Sequence, residues 1–228
     1  MTDTSEHVYT IAIDGPAGSG KSTVAKTLAD RLGWLHLDSG ATYRAMAAIA
    51  LSRGILVDDA ESLGKLAQEI SVEIRPEANT FKVFADGIDV TSIIRSPDVS
   101  KASSPVSAVP AVRERLVALQ RDIASHQNTV AEGRDMGTVV FPDAAVKAYL
   151  IASPEERARR RVEDFRLRNE IIPFDQVLHE IKERDHRDSS RPTSPLRPAE
   201  DAHIIQTDLL TADEVVEEII ALYQAARV

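Results

Sequence analysis

Gly15-Pro16-Ala17-Gly18-Ser19-Gly20-Lys21-Ser22 is the stretch on which the reading of this chain turns. It follows an apolar run from Val8 to Asp14 and precedes an amphipathic pattern from Lys21 to Leu32, which Gly33 ends as a carboxy-terminal cap. Strand, glycine-rich loop and helix in that order are the setting of a phosphate-binding loop. Glycines at 15, 18 and 20 let the backbone turn its amides inward around a polyphosphate, and the helix amino terminus adds partial positive charge at the same point. Lys21 is placed to reach the β- and γ-phosphates. The Ser22 hydroxyl, with Thr23 behind it, is placed to ligate the magnesium that bridges them. ATP with Mg2+ is the expected occupant.

Outward from that loop, Leu35 to Asp38, Thr129 to Ala131, Val146 to Ile151 and His203 to Gln206 read as further short buried parallel strands. Helical patterns separate them. Ala111 to His126 carries Val112, Leu116, Leu119 and Ile123 on one face; Ser153 and Thr211, each followed three residues on by a Glu, open two more helices as capping boxes. Alternating strands and helices predict an α/β fold: a five-stranded parallel sheet with helices on both faces. One stretch breaks the rhythm. Val72 to Val90 alternates as half-buried antiparallel strands do, with turns expected at Pro76-Glu77-Ala78-Asn79 and Asp86-Gly87, and reads as an inserted subdomain. Asp188 to Glu200, with Pro192, Pro195 and Pro198, reads as a surface loop that stops the preceding helix.

Composition removes several classes. The 228 residues carry 27 Lys and Arg against 36 Asp and Glu, a formal charge of −9, so general attraction to nucleic acid or an anionic membrane would have to overcome the net field. With no cysteine there is no disulfide, thiolate nucleophile or thiolate-bound zinc. No secretory or mitochondrial leader is visible in Met1 to Thr10, and no apolar run is long enough for a spanning helix, so a cytoplasmic protein is expected. The six histidines are scattered, and His179-Glu180-Ile181-Lys182-Glu183 is not a zinc pattern. An Asn-Lys-x-Asp guanine reader is missing, which disfavours a switch GTPase.

Phosphoryl transfer needs an acceptor site and exclusion of water. Asp38-Ser39-Gly40-Ala41-x-Tyr43-Arg44 sits at the carboxyl end of the second strand, where open α/β sheets place ligands. Together with the phosphate loop, Glu132-Gly133-Arg134-Asp135-Met136-Gly137-Thr138-Val139-Val140-Phe141-Pro142 and Ile181-Lys182-Glu183-Arg184-Asp185, it resembles bacterial cytidylate kinases, collinearly from about Thr10 to the last helix. The resemblance implies transfer of phosphate from ATP to CMP or dCMP by a monomer. It also implies a phosphate-loop kinase core with a nucleotide-binding insert, set at residues 66–104, and a helical lid, set at 153–170.

The residues suit that chemistry. Arg44 and Arg134, at the ends of sheet elements, are of the kind that clamps a dianionic phosphate. Asp135 can accept from the exocyclic amine of cytosine while an arginine donates to the ring. By similarity that donor is Arg113, with Ser39 and Ser104 as further contacts and Arg184, Asp188 and Arg191 facing ribose and phosphate. Ten arginines fall between Arg157 and Arg197, against the global acidity. Arg157, Arg160 and Arg161 share a helical face by spacing. The resemblance makes them lid residues, with Lys21, Arg134, Arg157 and Arg161 stabilising the transferred group. Taken alone, several of these have plainer readings. Arg134 and Asp135 can form a surface ion pair at a turn, Ser39 and Tyr43 can cap and pack the next helix, and Arg113 can be solvated beside Glu114. Rival functions are a small kinase for UMP, AMP or shikimate, and a regulatory module that hydrolyses ATP slowly.

Overall fold

The computed structural model describes residues 8–77, 80–167 and 169–226. Most of the amino-terminal segment, the expected turn residues Ala78 and Asn79, and Arg168 of the arginine-rich stretch lie outside the described residues. β1 (Thr10–Asp14) leads through the glycine loop into α1 (Lys21–Leu32), which Gly33 closes in the left-handed region at φ 66°, as the sequence predicts. β2 (Leu35–Asp38), α2 (Ser39–Ser52) and α3 (Ala60–Glu69) follow. Next come the short strands β3 (Val72–Glu77), β4 (Thr80–Ala85) and β5 (Ile88–Asp89), then α4 (Pro97–Val106) and α5 (Pro110–Ala124). The chain returns to the main sheet with β6 (Thr129–Gly133) and β7 (Val146–Ile151). It finishes with α6 (Pro154–Leu167), α7 (Phe174–Ser190), β8 (His203–Gln206) and α8 (Ala212–Ala226).

The main sheet is parallel throughout, in the order β2-β6-β1-β7-β8. β1 is central because it is apolar on both faces. Ile11 and Ile13 pack against Val24 and Leu28 of α1 and Val216 and Ile219 of α8, whereas Ala12 joins Leu37, Ala131 and Met136 on the other face. Pairing with Thr129 starts at Thr10, so the strand opens two residues after Val8, and β6 continues two residues past Ala131 to pair Gly133 with Asp14. Asp38 pairs with Glu132 in the same register. Three strands therefore end side by side, at the carboxyl edge where α/β sheets bind ligands.

The inserted stretch forms its own antiparallel sheet in the order β3-β4-β5. Val72, Val83, Ala85 and Val90 bury against Met46 and Ile49 of α2 and Leu63 and Leu66 of α3, fixing this layer to the core. Pro76 and Glu77, expected in a turn, instead continue β3, which an edge strand tolerates because the missing amide faces away from its partner. α7 also differs from the expected loop: it runs through Ser190, and Pro192 then bars its continuation. Arg184 and Asp188 thereby lie one turn apart, with Arg191 at the helix end. Among the described residues, no helix is long and apolar enough to cross a membrane.

Candidate active site

The loop after β1 is built on a close backbone contact. A Cβ on Gly15, at φ 147°, would collide with the carbonyl oxygen of Leu150 in β7, so only glycine lets the chain turn there. Gly20, at φ 93°, stands at the N-cap position of α1 with no side-chain cap, leaving the first amides of the helix for an anion. Lys21 is buried. Its Nζ folds back to donate to the Pro16 carbonyl at 2.6 Å and the Ser19 hydroxyl at 3.4 Å. Burial, and then the nearby Arg134, press its pKa well below the usual lysine range. Two braces hold the loop from behind: Arg157 Nη1 donates to the Ala17 carbonyl at 3.2 Å, and Thr207 Oγ1 to the Ser19 carbonyl at 3.2 Å.

Facing this loop is a cleft into which the sequence-predicted acceptor residues converge. Ser39, Arg44, Ser104, Arg113, Arg134, Asp135, Arg184, Asp188 and Arg191 all line it, with Lys21, Ser22 and Arg161 on the loop side. Seven cationic side chains meet four carboxylates there, a local excess of positive charge in an acidic chain. They are paired in a definite pattern. Arg113 and Asp135, both buried, form an ion pair, and Arg191 Nη2 stands 3.8 Å from the other oxygen of Asp135. Arg134 Nε donates to Asp188 at 3.0 Å, with Arg184 Nε 3.8 Å away. Arg44 donates to Asp38 at 2.6 Å.

Electrostatics follow the pairing. Burial works against the Asp188 charge, but Arg134 and Arg184 hold its carboxyl below the ordinary range. Burial likewise opposes the charge of Asp38, and Arg44 overcomes it. Arg184 is pushed down to about 10, by burial first and then by Arg134. These arginines are under-neutralised: Arg113 Nε, Arg184 Nε and Arg191 Nη2 are buried donors with no hydrogen-bond partner among the described residues. Such groups cost free energy until an acceptor arrives.

The plainer alternatives are resolved one by one. Arg134 and Asp135 do not pair with each other; each pairs with an element far along the chain. Asp38, not Ser39, caps α2, accepting from the Ala41 amide at 3.0 Å, while Ser39 Oγ donates to the Glu132 carbonyl at 2.7 Å. Arg113 is buried rather than solvated. Arg157, expected over the transferred group, is directed elsewhere. Its guanidinium is buried in a two-pronged pair with Asp185, at 3.0 and 2.6 Å, and also donates to the Ala152 carbonyl. Arg160 turns to Glu156 and the Thr207 carbonyl. Of the three arginines sharing that helical spacing, Arg161 is the one that lines the cleft.

Three residues have roles that the sequence reading did not give them. Glu132, at the end of β6 and buried, accepts from Ser22 Oγ at 2.7 Å, and His36 Nε2 lies 2.9 Å from its second oxygen. Asp14 accepts from the Met136 and Gly137 amides at 2.8 and 2.7 Å, fixing the segment that follows Arg134 and Asp135. Burial pushes the Asp14 carboxyl up to about 6 despite those bonds. The available signal was positional: Asp14 and Glu132 are carboxylates on neighbouring parallel strands that end at the phosphate loop.

A family model described as cytidylate kinase matches residues 11–225. The chain is 52% identical over 218 residues to the cytidylate kinase of Pelotomaculum thermopropionicum, covering 95% of this chain and 96% of that protein. It is 46% identical over 214 residues to the cytidylate kinase of Vibrio cholerae, covering 94% and 95%. Among solved structures, an uncharacterized protein from Eubacterium ventriosum superposes with a TM-score of 0.53 over 95% of this chain and 98% of its own, at 15% identity, a likeness of fold alone. On a match over nearly its whole length, in family model and in sequence, the chain belongs to the cytidylate kinase family.

Proposed function

We propose that the chain transfers the γ-phosphoryl group of ATP to CMP or dCMP, giving ADP and CDP or dCDP. The observation that carries the acceptor assignment is the buried Arg113–Asp135 pair, set in the same cleft as Lys21 and surrounded by arginine donors without partners. Asp135 accepts from the cytosine amine, and Arg113 donates to the ring; uracil would set an acceptor against the carboxylate. Ser39 and Ser104 add polar contacts to the base. Arg44, Arg134, Arg184 and Arg191 take the acceptor phosphate, and Asp188 the ribose. ATP lies on Gly15 to Thr23.

Ser22, whose hydroxyl donates to the Glu132 carboxylate at 2.7 Å beside the loop, suits magnesium, a hard cation that prefers oxygen donors. Bound there with the nucleotide, magnesium would supply charge neutralisation to its phosphates. An acceptor phosphate oxygen attacks the γ-phosphorus in line and needs no strong base, being already anionic near neutral pH. Lys21, Arg134 and Arg161 stabilise the charge that spreads over the equatorial oxygens. Arg157 contributes by bracing the loop through Ala17. In this reading residues 66–104 form the acceptor-side insert and 153–170 the lid that excludes water. A monomer in a cytoplasmic setting completes this reading.

ADP formation measured with CMP, dCMP, UMP and AMP in turn is expected to depend on the acceptor and to rank CMP and dCMP first. Acceptor-independent hydrolysis at a comparable rate would replace the kinase reading with the regulatory one.

A further inference from the structure

On β2, a histidine stands between two buried leucines. Leu35 and Leu37 are buried core residues, and the register partner of His36 is Val130, within the apolar face that includes Ile11, Ile13 and Val24. The ring of His36 places Nε2 2.9 Å from Oε1 of Glu132, whose other oxygen accepts from the Ser22 hydroxyl at 2.7 Å. Three residues from three elements, β2, β6 and α1, thus form one chain of hydrogen bonds leading into the loop.

The direction of that chain has chemical content. An ionised carboxylate only accepts, so the imidazole nitrogen facing it must be the protonated one and the Ser22 hydroxyl must give its hydrogen to Oε2. With its hydrogen committed to Glu132, the Ser22 oxygen has only lone pairs left to offer, and both Ser22 and Glu132 line the cleft. A carboxylate without a second anchor could rotate and let that hydroxyl turn round. The Glu132 side chain is only 5% exposed and that of His36 16%, so water competes poorly for either oxygen.

We propose that His36 is a positioning residue of the nucleotide site, holding Glu132 so that Ser22 presents its lone pairs to the magnesium that accompanies ATP. This rests on the ATP-magnesium reading above. His36 is not among the residues that line the cleft; its effect travels through Glu132. Partners of this kind typically change metal affinity by about 10–100-fold when removed.

The test is calorimetric and independent of turnover. ADP affinity is measured with and without Mg2+, and CMP affinity is measured separately, for the wild type, His36→Leu, His36→Asn and His36→Gln. The gain in ADP affinity that Mg2+ confers is expected to fall about tenfold in His36→Leu. His36→Asn, whose short side chain withdraws the donor without adding apolar bulk, is expected to lose it in the same way. CMP affinity should stay within about twofold, and His36→Gln, which keeps a donor near the ring position, should recover most of the gain. An undiminished gain in the Leu and Asn variants overturns the inference, as does a parallel loss of CMP affinity, which would indicate a packing role. Failure of Gln to recover more than Leu overturns it too. A wild type with no Mg2+-dependent gain would remove the magnesium reading itself, whereas an intact wild-type gain with unchanged variants removes His36 alone.

Discussion

Lys21→Met is expected to lower kcat by about 10²–10³-fold while leaving CMP binding nearly intact, measured as CMP-dependent ADP formation beside CMP affinity. The size follows from the loss of a preorganised cation at the point where charge spreads in the transition state. The structure sharpens the expectation. Nζ is folded back onto the Pro16 carbonyl and the Ser19 hydroxyl, so the loop holds the ammonium group in a fixed place before any ligand arrives. Methionine keeps the length of the side chain and removes its charge and donors. Burial makes the ammonium costly in the ligand-free chain, so the variant should fold at least as stably as the wild type. Turnover within tenfold of wild type would show that the group does not face the transferred phosphoryl.

Asp135→Ala is expected to act on stability as well as on selectivity. Its carboxylate faces Arg113 inside the protein, and Arg191 stands 3.8 Å from its other oxygen. Removing it leaves one buried guanidinium with no counter-charge and a second one short of one. Breaking a buried pair from one side costs about 3–5 kcal/mol, so the variant should unfold at markedly lower denaturant. CMP should restore only part of that loss, because the amine contact has gone too. The ratio of CMP to UMP turnover is expected to fall by about 10-fold or more, corresponding to a lost contact that discriminates donor from acceptor on the base edge. Equilibrium unfolding together with kinetics on both acceptors checks the two halves. Wild-type stability with an unchanged ranking would detach Asp135 from base reading and from the core alike.

These two residues also illustrate what the chain discloses before it is folded. Lys21 is legible because its neighbours are consecutive: the loop, the strand before it and the helix after it fit in about twenty-five positions, and local conformational rules decide them. Asp135 is legible as a polar residue after a central strand, but its partner lies 22 positions away, and nothing in spacing alone says that both are buried. Arg157 marks the limit more clearly. Periodicity puts it on one face with Arg160 and Arg161, yet within that face the three point to Asp185, Thr207 and the cleft, because a 100-degree stripe of helix is wide enough to meet three neighbours. His36 carried no sequence signal, since a lone histidine in a short strand acquires meaning only from the carboxylate of the adjacent one. Pro76 misled for the opposite reason: its turn preference is real, but an edge strand accommodates it.

Ala158 of α6 and Val177 and Ile181 of α7 make a small apolar cluster of their own, separate from the larger clusters of the sheet and insert. Its consequence is mechanical. Two helices sharing a private interior, and clasped again by the Arg157–Asp185 pair, form one packed unit, so Arg161 on the first and Arg184 and Asp188 on the second share a single support apart from the floor of the sheet.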